Sequence, residues 1–186
     1  MLAWFNSRTA DDHKASELYG AVVAQARTPA FYAECGIQDT PEGRYELIVL
    51  HLVLLVERLA AVVFEGPELS RLVVEAFVRD MDDNLREMGA GDLGVPKKVK
   101  KAAGGLYDRA AEYGAALRDA DPAALQRCVE ANIPGLSDQP VSCADLADYV
   151  RAAMQHLSGL DETRVVAGEV SFPRPMFSGA SHGGLR

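Results

Sequence analysis

Asp80, Asp83 and Glu87 stand three and four residues apart, so on a helix they share one face. Three carboxylates on one face can hold Mg²⁺ if a second acidic helix opposes them. No second aspartate-rich segment occurs in the chain. Arg79 with Asp83, and Asp82 with Arg86, are each four apart, the spacing that pairs opposite charges along a solvent-facing surface. These residues point to an ion-paired helix face rather than to a metal centre.

Directly after them, Gly89-Ala90-Gly91-Asp92-Leu93-Gly94 spells GxGxxG. That motif cradles a dinucleotide only when it leaves a strand and opens a helix in a βαβ unit. Here an apolar pattern of helical period precedes it, and Asp92 would set a carboxylate beside the pyrophosphate. The glycines are therefore those of a helix–loop–helix connection. Lys97, Lys98, Lys100 and Lys101 follow Pro96 at the start of the next helix. A helix N-terminus is already positive and prefers acids, so four lysines there break a local rule, and such breaches concentrate at functional sites. The alternative is a solvated basic turn.

The other reactive side chains form no recognisable constellation. His51 lies within the most apolar stretch of the chain, where a lone histidine is more often a hydrogen-bonded core residue than a base. His13, His156 and His182 are scattered, and no serine has a nucleophile-elbow context. Cys35, Cys128 and Cys143 are odd in number, far apart and without a CxxC, which fits a reducing compartment and neither a disulfide framework nor a zinc site. No catalytic, cofactor-binding or metal-binding residue is assigned.

The 186 residues are long enough for one domain with a real core, with 48% hydrophobic and 25% charged residues. A formal net charge of -8 argues against a nucleic-acid binder held by overall charge, and makes the local lysine cluster conspicuous. The N-terminal MLAWFNSR is too short in apolar length for a signal peptide. The most apolar run, Leu47 to Val56, contains His51 and falls short of the ~20 residues a spanning helix needs. A soluble, cytoplasmic protein is expected.

Period-3.6 patterns and stop signals divide the chain into helices. Asp11 or Asp12 can cap a first helix through about Ala26, with Leu18, Val22 and Ala26 on one face. Thr28-Pro29 opens a short helix carrying Phe31 and Tyr32 and stopped by Gly36. Thr40-Pro41 opens the next, apolar nearly all round from Leu47 to Val63 and hence central. Gly66-Pro67 starts a helix running to Met88, with Leu69, Leu72, Val73, Ala76, Phe77, Met81 and Leu85 inward. After the loop, Val99, Ala103, Leu106, Ala110, Tyr113 and Leu117 form one stripe. Lys97 and Lys101 fall opposite it and Lys98 and Lys100 flank it, so all four are expected to point outward.

Asp121-Pro122 begins a further helix ending at Pro134-Gly135. Ser142 and Asp145 resemble a capping box for a last long helix through about His156. RVVAGEVSF reads as a short extended strand and PRPMFSGASHGGLR as a flexible tail, although Phe172, Met176 and Phe177 are by default packing residues. The expected architecture is all-α, a single domain of about six or seven helices over residues 11–160. A flexible N-terminus over 1–10 and an extended or flexible tail over 161–186 flank it.

YGAVVAQARTPAFYAECGIQDTPEGRYELIVLHLVLLVERL and FVRDMDDNLREMGAGDLGVPKKVKK resemble the ubiquinol–cytochrome c chaperone family, with DNLREMGAGDLGVPKKVKK the most specific part. The resemblance implies an all-helical, non-enzymatic assembly factor of the bacterial type that handles newly made cytochrome b for the respiratory quinol–cytochrome c oxidoreductase. It also implies contact with the ribosome or an anionic membrane surface, with a peripheral place on the inner face of the cytoplasmic membrane, and no sequence-specific nucleic-acid binding. Arg86, Gly91, Asp92, Lys97, Lys98, Lys100 and Lys101 are the expected partner-binding surface. Two other readings remain open: a small Mg²⁺-dependent enzyme acting on an isoprenoid or quinone-like substrate, and a structural oligomerisation domain. Oligomeric state is not fixed by the residues.

Overall fold

The computed structural model describes the backbone of residues 2–87, 95–136 and 140–177, and the side chains of 10–87, 100, 102–136 and 143–177. Among them the protein is all-α, with eight helical segments and no strand. These are α1 (Leu2–Ala26), α2 (Ala30–Ala33), α3 (Pro41–Ala60), α4 (Gly66–Glu87), α5 (Val95–Arg118), α6 (Ala123–Asn132), α7 (Pro140–Ser158) and α8 (Glu162–Val166).

The helix α3 is the axis. The Thr40 hydroxyl accepts from the Gly43 amide at 3.1 Å, and Pro41 occupies the first turn, where its missing N–H costs nothing. Twelve of its residues are buried, from Gly43 through Leu59, because α1, α4, α5 and α7 all pack on it. Full burial of each Leu, Val or Ile there is worth ~1.5–3 kcal/mol, which outweighs the β-branched residues' weaker helix propensity. The α3–α4 turn needs a glycine. A Cβ on Gly66 would lie 2.0 Å from the Leu59 carbonyl oxygen and 2.9 Å from the Val62 Cβ.

Inter-helix contacts set the relative directions of the helices. Tyr45, Glu46 and Glu57 of α3 meet Ala102, Arg109 and Arg118 of α5 in order, so these two helices run the same way. His51 and Arg58 likewise meet Tyr149 and Leu157 of α7 in order. Lys14 meets Glu65 before Tyr19 meets Asp80, which sets α1 alongside α4. The inward residues expected on α1 and α4 are buried at Leu18, Val22, Ala26, Leu69, Leu72, Val73 and Phe77.

Four boundaries differ from the sequence reading. The first helix starts at Leu2, and Asp11 and Asp12 lie inside it, where Asp11 accepts from Lys14 at 3.0 Å rather than capping. The seventh starts at Pro140, so Ser142 is within the helix and not its cap. The helix α5 begins at Val95, one residue before Pro96. Val165 and Val166, read as strand, belong to α8, because Asp161 caps it by accepting from the Thr163 and Arg164 amides at 2.8 and 3.3 Å.

Beyond α8 the chain turns at Gly168, whose φ of 91° suits glycine, and continues to residue 177 without helix or strand. Read in the sequence as part of an extended or flexible tail, this stretch packs on the bundle: Pro175 and Phe177 are buried. Residues 178–186 lie outside the described region.

Candidate functional site

The helices α4 and α5 pack on each other and residues 88–94 join them, so the last turn of α4 and the lysine-bearing first turns of α5 share one end of the bundle. Two contacts from α3 hold α5 there. The Tyr45 hydroxyl donates to the Ala102 carbonyl at 3.0 Å, one residue past Lys101. Arg109 forms a two-pronged ion pair with Glu46, at 3.0 and 3.1 Å, with side chains 24% and 12% exposed. The Glu46 bond is the main cause holding the Arg109 pKa above its ordinary value. Replacing Arg109 by methionine strands a mostly buried carboxylate, and should cost about 1–3 kcal/mol of stability, read in urea unfolding. An unchanged midpoint would show that α5 does not depend on this pair.

Arg86 sits exposed in the last turn of α4, with Nε donating to Asp82 at 2.6 Å. Lys100 is exposed. Lys97, Lys98 and Lys101 lie on helical backbone, but their side chains are outside the described set, as are Gly91 and Asp92 altogether. The stripe that orients this helix is buried at Leu106 and Tyr113 and half-buried at Ala103, Ala110 and Leu117.

On the acidic face of α4, Asp80 is bonded within the protein. Asp80 accepts from the Tyr19 hydroxyl at 2.7 Å and from Asn84 at 3.1 Å. Burial, with this bond second, pushes the Tyr19 pKa well up, so the phenol stays a donor. Among the described residues no group of three or more His, Cys, Asp or Glu is placed to hold a metal ion. The Gly89–Gly94 segment lies outside the described residues, but what precedes it is helix, not strand.

A second polar centre, of which the sequence singled out only His51, lies between α1, α3 and α7. His51 is fully buried, with Nδ1 2.7 Å from the Leu47 carbonyl and Nε2 2.8 Å from the Tyr149 hydroxyl. A carbonyl only accepts, so Nδ1 carries the proton and Nε2 accepts from Tyr149. The Tyr149 oxygen in turn accepts from Gln25 Nε2 at 2.9 Å, whose second hydrogen goes to the Pro173 carbonyl at 3.0 Å. Every member is satisfied with His51 neutral. Burial depresses its pKa to about 4, against the opposing effect of the Leu47 bond. The histidine is thus a core residue, as its apolar surroundings suggest. Tyr149 lies 98 residues from His51 and 124 from Gln25 in sequence, and only His51 carried a signal.

Aromatic rings surround this relay. The Phe31 ring centroid lies 5.3 Å from His51, 5.0 Å from Tyr149 and 5.6 Å from Phe177, and Phe172 lies 5.2 Å from His51. Below it, Arg58 is buried and donates to the Leu157 and Leu160 carbonyls at 2.9 and 3.1 Å, supplying partners for the open end of α7. Cys35 and Cys143 are buried and not joined in a disulfide, and desolvation raises Cys35 to about 12. Neither is activated as a nucleophile.

The described residues form an α-helical bundle whose α4–α5 end carries the lysine-bearing first turns of α5. Residues 33–172 match the family described as Ubiquinol-cytochrome C chaperone, and the chain belongs to that family. It is similar to the crystal structure of the Cbp3 homolog from Brucella abortus, at 35% identity and a TM-score of 0.81, covering 94% of this chain and 97% of that one. No curated protein matches the chain at a significant level. The family assignment carries a chaperone role. No described helix is long and apolar enough to cross a membrane.

Proposed function

We propose that the protein is a non-enzymatic assembly chaperone that holds newly made cytochrome b while ubiquinol–cytochrome c reductase is built. The observation that carries this reading is the family match over residues 33–172. Supporting it, α5 is fastened to the core by Tyr45 at Ala102, one residue past the last of its lysines, and by Arg109 two turns further along. Lys97, Lys98, Lys100 and Lys101, with Arg86 and the Gly91-Asp92 loop, form the docking surface. Its target is anionic: headgroups at the inner face of the cytoplasmic membrane, where the client inserts. Each lysine near such a surface contributes about 1 kcal/mol, so the four give salt-sensitive docking that can be released.

The test is a pull-down of the tagged protein from its native membranes in mild detergent at low salt, alongside a variant with all four lysines changed to glutamate. Cytochrome b is expected among the retained proteins of the parent. The variant should keep its helical circular dichroism and thermal midpoint, yet yield severalfold less assembled cytochrome b. Normal assembly in a folded variant would remove the lysines as the site. Absence of cytochrome b from the parent's partners would remove the client.

A further inference from the structure

We infer that the groove formed by Gln25, Phe31, His51 and Tyr149 is a peptide-binding site for an extended segment bearing aromatic and proline residues, and that residues 170–177 are its intramolecular occupant. The segment reads Val170-Ser171-Phe172-Pro173-Arg174-Pro175-Met176-Phe177. Pro175 and Phe177 are buried while Arg174 is exposed and Met176 is 83% exposed, the alternation of an extended ligand and not of a helix. Two prolines at 173 and 175 favour the polyproline II backbone, and aromatic-lined grooves recognise that conformation.

The manner of seating separates this strap from the rest of the core. No backbone–backbone hydrogen bond of residues 170–177 is formed among the described residues. Its main chain is held by the Gln25 amide on the Pro173 carbonyl, 3.0 Å, and its side chains by rings: Phe172 on His51 at 5.2 Å, and Phe177 on Phe31 at 5.6 Å and on Tyr149 at 6.4 Å. Ser171 adds an exposed contact to His156 at 3.1 Å. A segment fixed by side chains and one carbonyl can leave without unzipping a ladder. Gly168, at φ 91°, marks where it departs from α8. Tethering gives it an effective concentration of the order of millimolar, so an outside peptide competes only when its anchors are weakened or when the competitor binds better. The partner it fits is an extended aromatic- and proline-bearing stretch of the client. That identity, and only that, rests on the chaperone reading.

Two measurements on the full chain test the inference. In the first, the thiol of a Pro175→Cys variant, buried while the strap is seated, should react with a thiol reagent by a local route, its rate read at that position by mass spectrometry and depending little on added denaturant. Opening only with global unfolding would make the strap ordinary core and overturn the proposal. In the second, a fluorescein-labelled peptide of residues 169–177 is titrated into the parent and into the F172A/F177A variant, followed by anisotropy. The variant is expected to bind roughly tenfold or more tightly than the parent, by relief of the tethered competitor. The same peptide with both phenylalanines changed to alanine should not bind, and adding Gln25→Ala should weaken binding. Equal binding to parent and variant, or a variant that fails to fold, would overturn the proposal. Binding of the strap peptide with client retention unchanged in the variant would overturn the client's assignment to the groove. The chaperone reading, judged from the parent's pull-down, would stand apart from that result.

Discussion

Phe31→Ala is expected to lower the unfolding free energy by about 3–5 kcal/mol, the range for deleting a fully buried phenylalanine whose surroundings relax only in part. Phe31 has no solvent exposure and is the one ring in contact with His51, Tyr149 and Phe177 together. It sits on α2, a single turn closed on the Thr28 and Pro29 carbonyls and tied to α1 by the Tyr32 hydroxyl on the Ala26 carbonyl at 2.9 Å. At 186 residues, each kcal/mol moves the midpoint by about 2–4 °C, so a fall of roughly 6–20 °C should appear in thermal unfolding. Tyr32→Ala, on the same turn but half-buried, should cost much less. A Phe31→Ala loss below about 1 kcal/mol would show that the aromatic cluster is not a packing centre.

The second large effect is on acid stability. His51 is neutral in the fold, with its pKa lowered to about 4, and near 6.5 when unfolded. Below 6.5 the unfolded chain binds a proton that the folded chain refuses, so stability falls as pH falls, from about 6.5 down to about 4, and then levels. The difference of about 2.5 units corresponds to about 3 kcal/mol. Urea midpoints taken between pH 7 and pH 4.5 should decline accordingly. His51→Gln should be less stable at pH 7 yet decline less over that window. An equal decline in both proteins would assign the acid sensitivity to other groups. Asp39, Asp121 and Asp161, whose pKa values are lowered by bonds to Arg44, to the Ala123 amide and to Thr163, act in a lower window, below about 3.8.

Helix identity was legible because the signals are local. Thr40-Pro41, Gly36 at φ 78° and Gly135 at φ 84° each act within a few residues of themselves. So was the place of α3, since an all-round apolar helix has nowhere else to go. Errors arose where two local signals competed. The Asp11-Asp12 pair looks like a cap but lies within α1, and Val165-Val166 looks like strand until Asp161 is recognised as a cap. The Gln25–Tyr149–His51 relay and the seating of Phe177 were not legible, because they depend on the packing of α1, α3 and α7. The lysine cluster was visible because it breaks a local rule. Of it the structure places Arg86 and Lys100 at the surface.

Arg58 acts as a register key for the bundle. Its guanidinium, planted on α3, accepts only one axial setting of α7, the one that brings the Leu157 and Leu160 oxygens within reach. Sliding α7 by a turn, about 5.4 Å, would leave a charge in apolar surroundings and a helix end without donors. The two helices are therefore indexed like gear and rack, and they move as one piece. Unseating residues 170–177, whose hydrogen bonds run to Gln25 and His156, would not break that pair.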